Sequence, residues 1–380
     1  MTPFAPTPKS LLGALTVAAL GLASGVQAAD VSVYGIVDLG LNYQRVDKGQ
    51  ETSNALQLMS GQNAMSRFGF KGSEDLGNGL KLGFVLENGF DADNGQMKFN
   101  RLFSREAQVN LSGDFGQVKV GRLVSFLSGY NTTGLFGPKV SPFSTMWVGV
   151  PGHKSVMTGD FVPYDNMVVY HSPSMAGVKL HGAYSFGNDT TKTTGLEEGS
   201  SEVDRLASLA MTVERGPVYF TLIWDKTFYG NEQNAQHFKD AEHVSAGGNV
   251  DLGFAKFFAA AQWFEGVRAL GETELAGKDT LLANDAGVKS LGGMTGAGVN
   301  LGALIPVSGG RLKLNTGFMK AENADDADRD LKRRTVSAGY EYPLSKRTFV
   351  YTGLGYMTDS YGRAEDADRL GFASGMVHTF

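Results

Sequence analysis

Arg369 to Phe380 reads RLGFASGMVHTF. As a strand of period two it places Leu370, Phe372, Met376 and Phe380 on one face and Gly371, Ala373, Gly375 and Thr379 on the other. A strand that is apolar and bulky on one side and small on the other suits a sheet with lipid outside and a crowded interior. A soluble sandwich can end on a similar strand, so the rest of the chain decides between the two.

The opening residues carry Lys9, the apolar run Leu11 to Ala23 and then Val26-Gln27-Ala28, with small residues where a signal peptidase needs them. Residues 1–28 therefore read as a signal peptide, with Ala29 first in the mature chain. The run is too short to cross ~30 Å of hydrocarbon as a helix. No later stretch reaches the ~18 consecutive apolar residues of a membrane helix, so a membrane protein with this sequence spans with strands.

Composition agrees. There are 51 Gly in 380 residues, no Cys, 42% hydrophobic residues and a formal charge of −5. Glycine is near twice its usual share of ~7%. Strands that are half wet, with small residues relieving interior crowding, account for this. The absence of Cys excludes a disulfide scaffold, and no basic-aromatic stripe suggests nucleic acid.

Alternation recurs from Val31 to Phe380 as one repeated unit, the hairpin. Val31 to Gln44 sets Val31, Val33, Val37, Leu39, Leu41 and Tyr43 against Ser32, Asp38, Asn42 and Gln44. Similar runs follow until Arg369 to Phe380, making about sixteen strands. Short turns such as Gly113-Asp114-Phe115 and Arg215-Gly216-Pro217 interleave with long polar segments such as Asp47 to Asn63, Gly187 to Glu202 and Gly266 to Ser290. That alternation is the mark of an all-β, antiparallel, up-and-down transmembrane barrel.

Four stretches, SRFGFKGSEDLGNGLKLGFVLENGF (Ser66 to Phe90), FSREAQVNLSGDFGQVKVGR (Phe103 to Arg122), NMVVYHSPSMAGVKLHGAYSFG (Asn166 to Gly187) and LSKRTFVYTGLGY (Leu344 to Tyr356), closely resemble the trimeric general porins of Gram-negative outer membranes, in particular the beta-proteobacterial type. The resemblance covers residues 31–380. It implies a sixteen-stranded barrel, a homotrimer in the outer membrane, and passive diffusion of ions and small hydrophilic solutes through each protomer. The terminal Phe380 resembles the signal by which such barrels are recognised for insertion.

The resemblance also implies a third external loop folded into the lumen. Val124 to Asp165 lies in the right place, and its Leu135, Phe136, Val140, Phe143, Met146, Trp147 and Val148 require something to pack against. The loop's charges are Lys139, Lys154, Asp160 and Asp165. Opposite it the family carries a ladder of wall arginines, onto which Arg67 and Arg105 map. Lys71 shares the inner face with Arg67, since Phe68 and Phe70 take the outer one. A third arginine is missing, Pro163-Tyr164-Asp165 standing in its place. Arg122 joins the wall only if the strand changes face at its end.

If Arg105 points inward in strict alternation, Ala107, Val109 and Leu111 follow it and Glu106, Gln108, Asn110 and Ser112 face outward. A subunit interface would then be needed to cover them. Tyr34, Tyr184 and Tyr356 are candidates to line the lumen or to join the interfacial girdles. Asp91 to Gly95 lacks the Glu that closes an EF-hand and reads as an external turn. The acidic runs Glu322 to Asp330 and Glu365 to Asp368 are where divalent cations would bridge to lipopolysaccharide phosphates. Neither an H-E-x-x-H nor a G-x-S-x-G pattern occurs, and no metal, cofactor or catalytic set is expected. The alternatives to a general porin are a substrate-specific channel, which needs a binding cluster along the lumen, and a barrel enzyme or adhesin.

Overall fold

The computed structural model describes residues 30–49, 51–129, 131–143, 147–159, 161–191, 195–230, 239–268, 270, 292–362 and 365–380. The expected signal peptide lies outside them. The first strands are β1 (Asp30–Lys48), β2 (Glu51–Ser60), β3 (Arg67–Gly77), β4 (Leu80–Gly89), β5 (Glu106–Gly113) and β6 (Gly116–Val124). Next come β7 (Pro163–His171), β8 (Val178–Ser185), β9 (Arg205–Arg215), β10 (Val218–Phe228), β11 (Ala241–Asp251) and β12 (Lys256–Val267). The last are β13 (Met294–Val307), β14 (Gly310–Asn323), β15 (Asp330–Pro343), β16 (Thr348–Tyr361) and β17 (Ala367–Thr379).

Each strand pairs antiparallel with its neighbour, and β1 closes the sheet against β17 from Ile36 opposite Thr379 to Lys48 opposite Ala367. Closure joins the first and last strands of the sheet, which a bilayer requires. The 17 segments make sixteen wall positions, because β2 and β3 both pair with β1 on the same side, β2 along residues 39–48 and β3 along residues 30–36. Asp47 to Asn63 is thus not a long loop: most of it is β2, hairpinned onto the upper half of β1. Between β2 and β3 the chain dips inward. Asp38, fully buried, accepts the backbone N–H of Asn63 (2.6 Å) and Ala64 (2.7 Å) and the hydroxyl of Tyr351 (2.7 Å).

The terminal strand behaves as its alternation predicts. Leu370, Phe372, Met376 and Phe380 are exposed on the outside, while Gly371 and Ala373 are buried on the inside. Gly35 and Phe380 exchange both backbone hydrogen bonds at 3.1 Å, so the last residue completes the seam. Tyr34 faces inward, where its hydroxyl meets Glu87. Tyr356 is exposed on the outer wall and Tyr184 pairs with the exposed Val168, so both belong to the outside. Short turns join β3–β4, β5–β6, β7–β8, β9–β10, β11–β12, β13–β14 and β15–β16 at one rim, and the longer connections gather at the other.

Candidate functional site

From β6 the chain enters the lumen and returns at β7. Across this loop Phe126, Leu127, Phe136, Val140, Phe143, Trp147, Val150, Val156, Met157 and Phe161 are all buried. Their partner is the inner wall, beginning at β7 and β8, where Phe126 packs on His171 and His181, and continuing round to β17. The hydroxyl of Tyr219 donates to the Leu135 carbonyl (2.7 Å), and Asn249 donates to that of Lys139 (2.7 Å). Asn42 on β1 donates to Val148 (2.9 Å), Ser337 to Pro151 (2.6 Å), and Gln262 exchanges two bonds with the backbone of Thr158 (2.7 and 2.9 Å). The loop therefore crosses to β1 and comes back along the wall.

Wall glycines make room for it. A Cβ at Gly247 would meet Val140 at 2.7 Å, at Gly317 Val156 at 2.8 Å, at Gly339 Phe143 at 3.0 Å and at Gly353 Trp147 at 2.7 Å. At Gly298, Gly302, Gly355 and Gly371 it would collide with Val156, Pro142, Pro151 and Gly149. Real side chains do not come so close, so much of the glycine excess is a bed for the loop. Ion pairs around two buried carboxylates pin it further. Arg333 and Asp359, both fully buried, pair at 2.6 Å, and Arg333 also donates to the Ser155 carbonyl at 2.9 Å. Glu341 pairs with Lys313 and, at 2.7 Å, with Arg311; it also accepts from Asn63 at 3.0 Å. The Lys313 ammonium lies 4.9 Å from the Trp147 ring.

The opposite stretch, β3 to β6, carries charge. Arg67 and Lys71 share the inner face as expected, Arg67 opposite Ile36 and Lys71 opposite Ser32. Lys71 is exposed over the Tyr34 ring at 5.2 Å. Arg105 is buried, with its Nε 2.7 Å from Glu87 and an Nη 2.9 Å from Asn131 of the loop. Arg67 lies 3.5 Å from the same Glu87. The arginines thus share a carboxylate that alternation places on the inner face of β4. Glu87 is readable in the sequence as an ionisable residue inside a spanning strand, while the family's wall ladder consists of arginines.

The expected inversion of the strand after Arg105 does not occur. Arg105 precedes β5, and Glu106 begins it, also buried and facing inward. Glu106 accepts from Thr132 of the loop, Lys119 on β6 donates to the Thr132 carbonyl, and Gln108 is buried, whereas Val109 and Val120 are exposed outside. Lumen partners for Glu106 fix the register that lipid would forbid if it were reversed. No polar outer face remains on β5 to demand a subunit contact.

Arg122 does change face. Gly121 has φ 132°, and the β6–β7 register shifts between Gly121 and Leu123. This bulge re-aims Arg122 toward Asp165, whose two oxygens also accept from Arg101 at 2.8 and 2.9 Å. Asp165 belongs to β7 rather than to the loop, and its partners Arg101 and Arg122 line a cavity of about 550 Å³ on the long-loop side. Lys139 is exposed and sits 3.8 Å from Glu214 near the short-turn rim, and Lys154 lies 5.8 Å from the Phe161 ring. Asp160 lies outside the described residues. The site residues therefore fall into separate groups: Arg67, Lys71 and Arg105 on the wall, Arg122 with Asp165 above, and the loop lysines apart.

The sequence profile of the Gram-negative porins matches residues 14–362. An outer membrane porin of Bordetella pertussis is 30% identical over 98% of this chain and 100% of its own length. Outer membrane porin protein 32 of Delftia acidovorans is 28% identical over 97% of this chain and 93% of its own. Among solved structures, an anion-selective porin from Comamonas acidovorans superposes with a TM-score of 0.67, at 24% identity, over 93% of this chain and all of that one. A closed antiparallel barrel with an apolar loop packed in its lumen, matched along nearly its whole length, belongs to the Gram-negative porin family and forms a diffusion channel in the outer membrane.

Proposed function

We propose that this porin is a general diffusion channel with a weak anion preference, assembled as a homotrimer. The observation that carries the reading is the division of the inner wall: the loop leaves past Glu106 and Lys119 and is held against β7 to β17 and β1, leaving Arg67 and Lys71 of β3 facing the lumen. Arg67, Lys71 and Arg105 against Glu87 leave a net charge of about +2, and Glu106 with Lys119 adds nothing net. At ~8 Å in water-like dielectric each charge contributes ~0.5 kcal/mol, so the bias is ~1 kcal/mol, about fivefold. Ions and small hydrophilic solutes of either sign pass, and no catalytic role is assigned. The similar porin from Comamonas acidovorans is anion-selective, which supports the same sign. A reversal potential under a potassium chloride gradient tests this, with cation preference in dilute salt as the contrary result; screening over ~10 Å at 0.1 M makes dilute salt the sharper condition.

The support for a trimer comes from β2. It pairs with β1 along one edge, and among the described residues no strand pairs with its other edge, while Leu56 and Leu58 are exposed. An open strand edge at lipid depth is costly, and a neighbouring copy would cover it. Unheated protein in mild detergent is expected to run as a trimer and drop to monomer on boiling; a monomer by mass in non-denaturing detergent contradicts this. In the acidic external segments Glu322 to Asp330 and Glu365 to Asp368, divalent cations would bridge to lipopolysaccharide phosphates, and chelation is expected to loosen that contact.

A further inference from the structure

His171, the last residue of β7, stands directly opposite His181 within β8, with both side chains on the inner wall toward the short-turn rim. Their Nδ1 atoms are 2.6 Å apart. The rings cross at 74° with centroids 4.9 Å apart, and Phe126 of the loop packs on both, at 6.0 and 5.8 Å. His181 Nε2 lies 3.0 Å from the Thr212 hydroxyl, which sets that ring's orientation. His171 Nε2 is buried with no hydrogen-bond partner. Two imidazoles fixed nitrogen to nitrogen by backbone register, a hydroxyl and an aromatic ring have the form of a chelate, with the outer nitrogen of one ring oriented as metal-ligating histidines require.

We propose that His171 and His181 form a two-imidazole site for Cu²⁺ at the periplasmic mouth of the barrel. Metal–nitrogen bonds of ~2.0 Å place tetrahedral ligand atoms ~3.3 Å apart and adjacent square-planar ones ~2.8 Å apart. The observed spacing needs an opening of only a few tenths of an ångström for the square-planar arrangement, which Cu²⁺ favours, and copper also heads the affinity order for nitrogen ligands. Both Nδ1 lone pairs are used, each ring then carrying its proton at Nε2, and water fills the open positions. Hard divalent ions such as Mg²⁺, which take oxygen ligands, are not held by two imidazole nitrogens, and the positive charge of Lys119 and Lys179 nearby is partly offset by Glu106. The paired arrangement distinguishes these residues from His378, exposed beside Thr348, and from His153 and His243, which are buried elsewhere.

Folded porin in detergent, titrated with CuCl₂, is expected to give an electron paramagnetic resonance spectrum with hyperfine structure from two nitrogens, at one copper per chain. The pattern is lost in His171→Asn and in His181→Asn. In planar bilayers, Cu²⁺ added on the periplasmic side of the wild-type channel alters the current, the same addition outside has a weaker effect, and chelator restores it. An unchanged two-nitrogen spectrum in the His171→Asn, His181→Asn double variant overturns the site. Copper acting equally from both sides of the wild type, which needs no variant to fold, overturns it as well.

Discussion

Along β11 to β17 the inner wall carries glycines where the apolar loop lies on it, with larger groups such as Phe264, Met319 and Tyr351 packed beside it, and its ionised residues are consumed in pairs such as Arg333–Asp359 and Lys313–Glu341. Along β3 to β6 the wall keeps cations in excess, with Lys71 and part of Arg67 open to the lumen. One half of the barrel thus stores the loop and the other presents the field to a passing ion. The same alternating strand, small or charged at its inner positions, serves either task.

The largest expected break of this contrast is on the storage side. Asp359→Asn leaves Arg333 buried without its carboxylate and is expected to cost about 3–5 kcal/mol, read as a lower denaturant midpoint; an unchanged midpoint would show that the pair does not hold the loop. Next, Gly298→Ala drives a methyl into the Val156 carbonyl, whereas Gly83→Ala on β4 meets only the flexible Asn110 amide at 3.0 Å. The first is expected to lower stability by about 1–3 kcal/mol and shift conductance, the second to change neither measurably. Equal effects would erase the distinction between the two halves.

Removal of Phe380 acts at the seam between them. It deletes the residue whose N–H and C=O both pair with Gly35, and whose ring covers that glycine. Poor assembly is expected, with normal conductance in the fraction that inserts; normal outer-membrane levels would show that the seam closes without it. The smallest effect belongs to the charged half. Glu87→Gln removes one negative charge beside Arg67 and Arg105, and should raise anion preference by ~0.5 kcal/mol, about twofold in dilute salt.

Much of the fold was legible because alternation states which side of a strand is wet. The outer face of β1 and the inner position of Lys71 follow from period two alone. Strict alternation failed where the backbone departs from it: at the turn that lets Arg105 and Glu106 both point inward, and at the Gly121 bulge that turns Arg122 to Asp165. The β2 strand was hidden because its polar, open-edged sequence reads as loop. Glu87, Arg333 and Asp359 were visible as charges inside spanning strands, yet their pairing depends on distances between strands far apart in the chain, which no local pattern carries.

The central claim is that the loop after β6 lies inside the barrel on a glycine bed. The chain has no Cys, so an engineered pair reports on one contact alone. Val156→Cys with Gly317→Cys joins positions already in contact, and the smaller side chain at 156 frees space for the new one at 317. Mild oxidation of the folded protein is expected to link them, since their Cβ atoms can approach the ~3.8 Å of a disulfide. Two free thiols, both labelled by a bulky membrane-impermeant reagent from outside, would place the loop off the wall and contradict the account.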